Sequence, residues 1–148
     1  MGCFWKPDLL FSKLPGVLKV EVGYMGGNEK LFPHPSYLLV CSHLTGYAEV
    51  FRVTFNPDKT SYSKLLKVFW KNHDPTTPNR QGLDIGEQYR SAIFYTNTKQ
   101  KTEAERSKKE IQRIMSKKVV TEITKEATFF RAEEYHQKYL EKRGKNTC

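Results

Sequence analysis

The sequence predicts an α/β chain in the looser α+β sense, a two-layer sandwich with a mixed β-sheet and flanking helices, and three observations predict it. The 148 residues suit one domain, which at this size buries about 68–70% of its unfolded-chain surface. Apolar positions switch repeatedly between a period of two and a helical period, so strands alternate with helices. No internal repeat or interdomain linker interrupts that alternation. We therefore expect one domain over residues 1–148, ending in a short tail at 143–148.

Each element follows from local chemistry. Pro7 fits a helix only within its first turn, so the helix carrying Leu9, Leu10, Phe11 and Leu14 begins just before it, with Cys3 at its entrance. Pro15 and Gly16 stop that helix. Leu18, Val20 and Val22 then alternate with Lys19 and Glu21 as a strand ending at Gly23. From Gly23 to Leu44 the chain is rich in Gly, Pro, Asn and His without a sustained period, which predicts a long loop. Ala48 to Phe55 is the clearest strand, and its period of two sets Glu49 on the face of Phe51, Val53 and Phe55. Behind Ser61, Tyr62, Leu65, Leu66 and Phe69 recur at helical spacing up to about Asn72. Beyond the turn-rich 73–82 segment, Ser91–Tyr95 is a short strand. Thr98 to about Lys117 is helical, Val119–Ile123 a strand, and Ala132 to about Lys142 a final amphipathic helix.

The net charge of +9 would suit a nucleic-acid or membrane-surface partner, but the charges are dispersed. The densest stretch, Lys99–Lys118, carries Glu103, Glu105 and Glu110 among its lysines and reads as a solvated helix face. No run approaches the roughly 18 apolar residues of a spanning helix, and the first residues lack the order of a signal peptide. A cytoplasmic setting and a monomer are the default expectations. Cys3, Cys41 and Cys148 form no metal-ligand spacing, which argues against zinc. An odd cysteine count in a reducing compartment points to thiol chemistry or buried packing.

Backbone N–H groups and the positive dipole end at a helix start favour a thiolate, which makes Cys3 a candidate nucleophile. Placement alone reads equally well as a small apolar residue near the terminus. Phe4 and Trp5 offer an apolar wall beside it, or are simply core aromatics. Glu49 is the stronger signal. A carboxylate among apolar side chains is desolvated, which raises its pKa and lets it act as a general acid near neutrality; a salt-bridged Glu is the alternative. Tyr37 and Tyr89, in or near loops, could donate O–H groups to a substrate oxygen. The four histidines lack metal spacing and suit structural hydrogen bonds.

The strings around these residues are more specific. GCFW at Gly2–Trp5, GYMGG at Gly23–Gly27, HPSY at His34–Tyr37 and TGYAEV at Thr45–Val50 are followed by NHDP at Asn72–Pro75. NRQGLDIGEQYRSAIFY at Asn79–Tyr95 and AEEYHQKYL at Ala132–Leu140 complete the set. In this order they resemble peptide methionine sulfoxide reductase A over almost the whole chain. The resemblance implies a ferredoxin-like elaboration of the sandwich and reduction of the S epimer of peptide-bound methionine sulfoxide. It makes Cys3 the nucleophile, Glu49 the proton source, and Tyr37 and Tyr89 the groups holding the sulfoxide oxygen. Phe4 and Trp5 then line a methyl pocket and Asp84 anchors the substrate backbone. The product would be methionine and a Cys3 sulfenic acid. Cys148 is the candidate resolving thiol, within reach if residues 142–148 extend up to roughly 20 Å, and thioredoxin, or dithiothreitol in vitro, is the implied reductant with no bound cofactor. Cys41 is read as packing.

Some features depart from that family's pattern. Its members usually lead into GCFW with a strand, and only Met1 and Gly2 precede Cys3 here, so the strand is expected to be missing and rigidity at Cys3 reduced. Lys6 follows the tryptophan where a small Gly is common, Tyr47 precedes AE where His is usual, and Asn28–Phe32 lengthens a loop. The rival readings are a non-catalytic remnant that binds Met-containing segments, a basic nucleic-acid module, and a Cys–His hydrolase. The nucleic-acid module would need clustered charge, and the hydrolase an oxyanion hole that no motif supplies.

Overall fold

The computed structural model describes residues 1–145. Cys148 lies outside the described residues. Helix α1 spans Trp5–Ser12, β1 Val17–Met25, α2 Tyr37–Cys41, β2 Ala48–Phe55 and α3 Tyr62–Lys71. The hairpin strands β3 (Arg80–Gln81) and β4 (Asp84–Ile85) lead to a 3₁₀ turn at Glu87–Tyr89, then β5 (Ala92–Tyr95), α4 (Thr98–Ile114), β6 (Glu122–Lys125) and β7 (Phe130–Arg131). A second 3₁₀ turn at Glu134–His136 and helix α5 (Tyr139–Lys142) complete the order. Among the described residues no helix is long and apolar enough to cross a membrane.

Strand β1 is the spine. It pairs antiparallel with β2 from Val17 opposite Phe55 to Met25 opposite Ala48, and with β7 at Gly23 and Tyr24. The mixture of strand directions expected from the sequence is distributed over separate sheets: β2-β1-β7 is antiparallel, β3-β4 is a hairpin, and β5-β6 is parallel. Edges of β2 and β5 border one cavity of about 210 Å³, with Phe51, Val53, Leu65, Phe69 and Ile93 in its walls. Met1 is also on that lining, and residues 1–2 form no strand.

The β1–β2 register explains the placement of Glu49. It stands directly opposite Tyr24, so the face that buries Val20, Val22 and Tyr24 also carries Glu49 and Phe51. The opposite face is polar, where Glu21 takes ion pairs from Lys19 at 2.9 Å and Arg52 at 2.8 Å. One core cluster joins Phe11 of α1, Val20, Leu65, Leu66, Phe69 and Trp70 of α3, and Ile93. A second cluster, with Phe4, Val22, Tyr24, Val40, Tyr47 and Ala132, sits under Cys3, Trp5 and Tyr37.

Helices α1 and α3 match their sequence signals closely. Ser61 caps α3 by accepting from the Lys64 N–H, as the apolar spacing behind it predicts. Three expectations fail for identifiable reasons. The predicted loop at 23–44 contains the end of β1 and helix α2, because Ser36 caps that helix by accepting from the Leu39 N–H. The strand predicted at 119–123 is displaced to Glu122–Lys125. Val119 N–H donates to the Gln112 side chain and Val120 N–H to Pro75 O, so the parallel ladder starts only where Glu122 N–H reaches Ser91 O.

The final amphipathic helix predicted over 132–142 is instead β7, a 3₁₀ turn and the short α5. Gln137 is the cause. Its side-chain amide accepts from Val22 N–H at 3.0 Å and donates to Val22 O at 2.9 Å and Ala132 O at 3.0 Å, as a neighbouring strand would. Lys138 then takes a left-handed backbone, φ 54°, with its N–H on Asp8 Oδ2 at 2.8 Å and its ammonium on Asp8 Oδ1 at 2.9 Å. The fully buried Asp8 thus fastens this segment to α1.

Candidate active site

Cys3 is half-buried at the entrance to α1, one residue before Phe4, the helix N-cap. The Phe4 side chain cannot accept a hydrogen bond, so the helix start draws on another element. Phe4 N–H donates to Glu49 Oε2 at 3.1 Å, tying the β2 carboxyl to the residue beside the thiol. Glu49 is 6% exposed. Burial pushes its carboxyl up to about 7, the negative charge of Asp84 adds to the shift, and the Phe4 N–H pulls against it. A group poised there holds a transferable proton near neutrality.

Two tyrosines face this pair. Tyr37 opens α2, and Tyr89 closes the 87–89 turn. Burial is the main reason both hydroxyls are held above the ordinary phenol range. Tyr37 is also bonded to the Cys41 side chain, and Tyr89 feels the charges of Glu49, Cys41, Cys3 and Asp84. Both hydroxyls therefore stay protonated and able to donate. Burial likewise pushes the Cys41 thiol up, which suits a packing role beside Tyr37. Asp84 is exposed on β4, and a Cβ built on Gly2 would stand 4.0 Å from its Oδ2, so its carboxylate borders the chain just ahead of Cys3.

The aromatic wall is held by the last segment of the chain. Trp5 Nε1–H donates to His136 Nδ1 at 3.1 Å, and its ring stacks on Tyr139 at 3.7 Å between centroids, 10° from parallel. Because Nδ1 accepts, the neutral His136 carries its proton on Nε2, and burial keeps the ring's pKa below the usual value. The same imidazole lies 5.2 Å from the Phe4 ring and 4.5 Å from Tyr37. Cys3, Phe4, Trp5, Tyr37, Glu49, Asp84 and Tyr89 are thus brought together from five regions of the chain. Among the described residues no group of three or more His, Cys, Asp or Glu could hold a metal ion.

Several supporting residues were not singled out from the sequence. Glu133 Oε1 accepts Tyr37 N–H at 2.7 Å, and its Oε2 accepts Tyr24 O–H at 2.9 Å. Burial pushes the Glu133 carboxyl up, but these donors outweigh it and hold it below the usual range. Glu87 Oε1 accepts Gly46 N–H at 2.8 Å, and Gln88 Oε1 bonds His43 Nδ1 at 2.9 Å, tying loop 42–46 to the turn that carries Tyr89. Tyr47 fills the space above Gly27, where a Cβ would come within 2.4 Å of its ring, and donates to Phe32 O at 2.8 Å. The unusual tyrosine therefore bolts down the lengthened loop. The EQY and AEEYHQ strings contained Glu87, Gln88 and Glu133. Glu87 and Gln88 lie within two positions of Tyr89, and neither they nor Glu133 carry a periodic signal of their own.

Glu133 gives a direct test of this support. Glu133→Ala leaves Tyr37 N–H and the Tyr24 hydroxyl without an acceptor. We expect a loss of about 1–3 kcal/mol in unfolding free energy and roughly tenfold in kcat/KM, as Tyr37 loses its fixed position. Urea unfolding and steady-state kinetics measure the two effects, and Glu133→Gln should restore most of the stability.

Known proteins match this chain over nearly its whole length. The family described as "Peptide methionine sulfoxide reductase" matches residues 1–148. A peptide methionine sulfoxide reductase MsrA of Methanococcus maripaludis is 53% identical over 148 residues, covering 100% of this chain and 91% of the relative. Mxr1 from Saccharomyces cerevisiae in reduced form superposes with a TM-score of 0.91 at 38% identity, covering 97% of this chain and 82% of Mxr1. Mxr1 in complex with Trx2 aligns with a TM-score of 0.63 at 25% identity, covering 93% of this chain and 78% of that one.

Proposed function

This chain belongs to the peptide methionine sulfoxide reductase family, and from that membership we propose how its own residues reduce the S epimer of peptide-bound methionine sulfoxide. The Cys3 thiolate attacks the sulfoxide sulfur. Glu49 delivers a proton to the sulfoxide oxygen, and the Tyr37 and Tyr89 hydroxyls hold that oxygen while the S–O bond breaks. Phe4 and Trp5 pack on the methyl group, and Asp84 anchors the substrate backbone. The oxygen passes to Cys3 as a sulfenic acid and methionine is released, so the sulfoxide sulfur gains two electrons and the Cys3 sulfur loses two.

A second thiol then condenses with the sulfenic acid, forming a disulfide and releasing water. We assign that role to Cys148. Thiol–disulfide exchange with a thioredoxin dithiol returns both cysteines to thiols, and dithiothreitol can replace thioredoxin in vitro. The Trx2 complex of the yeast relative supports this reductant. A reducing compartment such as the cytoplasm suits the cycle, because the dithiol must itself be kept reduced. Every site group among the described residues comes from one copy of the chain, which supports a monomer acting in repair of oxidised proteins.

The observation that carries this reading is the bond from Phe4 N–H to the buried Glu49 carboxyl, which sets a proton donor of pKa about 7 beside Cys3. Peptides bearing each sulfoxide epimer, incubated with the protein and dithiothreitol, test it. Loss of the S epimer alone is expected. Equal loss of both epimers, or loss of the R epimer alone, would overturn it.

A further inference from the structure

The indole of Trp5 is held from two sides by residues that take no part in the chemical steps. Its Nε1–H can only donate, and it donates to His136 Nδ1 at 3.1 Å. Tyr139 lies flat on one ring face, 3.7 Å between centroids and 10° from parallel. The Arg143 guanidinium in turn lies over the Tyr139 ring, 4.4 Å from its centroid. One face of the indole is therefore occupied, and a methyl group can pack only against the other. We propose, building on the reading of the site given above, that His136 and Tyr139 are positioning residues that set the size of the methyl pocket and so restrict the alkyl group on the substrate sulfur to a single carbon.

A histidine is an unfavourable choice at position 136 unless its Nδ1 is needed. The residue is 1% exposed, and its ring is surrounded by the rings of Phe4 at 5.2 Å, Tyr37 at 4.5 Å and Tyr135 at 4.1 Å. Nε2, which carries the proton while Nδ1 accepts, has no hydrogen-bond partner among the described residues. An unpaired buried N–H is destabilising, and a leucine would fill the same aromatic cage without one. Against that penalty the imidazole makes one hydrogen bond, and its beneficiary is Trp5. Burial also keeps the ring's pKa below the usual value, so the Nδ1 lone pair stays available to the indole near neutrality.

The two contacts restrain different motions. Stacking on Tyr139 stops the indole from tilting, and the bond to His136 at the ring edge stops it from turning within its own plane. A wall fixed in both senses can reject a side chain longer by one methylene, a difference worth about 10–200-fold when the pocket does not yield. A wall left loose moves back and admits the longer group.

The test measures S-epimer turnover with dithiothreitol on two heptapeptides that differ only at the centre, one carrying methionine sulfoxide and the other ethionine sulfoxide, whose sulfur bears an ethyl group. The unaltered chain should favour the methyl sulfoxide by about tenfold or more in kcat/KM. His136→Leu and Tyr139→Ala should each bring that preference near one. His136→Asn should keep it, because the asparagine Oδ1 stands close to the place of Nδ1 and can accept the indole N–H. A role confined to stability would lower both rates in step, and a ratio retained by His136→Leu and Tyr139→Ala would overturn the proposal. So would an asparagine variant that behaves like the leucine one, or an unaltered chain that turns over both peptides equally. Thermal unfolding checks each fold; if His136→Leu does not fold, Tyr139→Ala on the half-buried side of α5 decides, with a retained ratio overturning the assignment. No reduction of the methyl sulfoxide by the unaltered chain would instead remove the functional reading beneath it.

Discussion

Cys3→Ser should abolish sulfoxide reduction, with a loss on the order of 10⁴-fold or more, because the serine hydroxyl is a far weaker nucleophile at neutral pH. Cys41→Ser is the matched control. Burial pushes the Cys41 thiol up and its side chain is bonded to Tyr37, so it stays a protonated thiol. Its replacement should keep activity within about threefold of the unaltered chain, as expected when a packing residue is exchanged for a near-isostere. S-epimer turnover with dithiothreitol measures both, and trapping of a sulfenic acid on Cys3 after a single turnover identifies the oxygen acceptor. Full turnover by Cys3→Ser would return Cys3 to a packing role at the helix entrance.

Glu49→Gln should lower kcat by about 10²–10⁴-fold, the usual contribution of a positioned general acid. The glutamine oxygen can still accept the Phe4 N–H, so the helix entrance stays tied to β2. The rate of the sulfoxide step should fall as pH rises through about 7 in the unaltered chain, because the Glu49 proton is lost there. Glu49→Gln should show no such descending limb. Stability follows the same carboxyl. Its folded pKa of about 7 lies above the ordinary 4.5, so its favourable contribution is complete below 4.5 and disappears as pH rises through about 7. Glu49→Gln should therefore gain stability relative to the unaltered chain between pH 5 and pH 8, by about 3 kcal/mol for a shift of this size. Urea unfolding at those two pH values reads the difference.

Parts of this architecture were legible in the sequence because local and tertiary preferences coincide. Ser61 and the apolar spacing behind it define α3, Pro7 fixes where α1 can start, and the alternation of Ala48–Phe55 turns Glu49 toward the core. The carboxyl's surroundings followed from that alternation alone. The carboxy-terminal segment was not legible, because its residues satisfy distant partners instead of one another. Gln137 serves β1, Lys138 serves Asp8, and His136 and Tyr139 serve Trp5. Each of those demands overrides helical periodicity, and none is visible in spacing. Glu133 was hidden for the same reason, since its two acceptor oxygens are claimed by Tyr24 and Tyr37, about 100 residues away.

The Gln137 amide has one more consequence. A protein that handles damaged and partly unfolded chains meets many extended segments seeking a strand to pair with, and an open sheet edge is a template for joining them. At Val22, β1 offers neither its N–H nor its carbonyl, because the Gln137 side chain takes the N–H and shares the carbonyl with the Ala132 N–H. The amide carries the pairing of β1 one residue past the short β7 without adding backbone, and so presents no new edge there. Gln137→Leu should leave the Val22 N–H bare at that edge, and a faster rise in light scattering on incubation than the unaltered chain shows would register it.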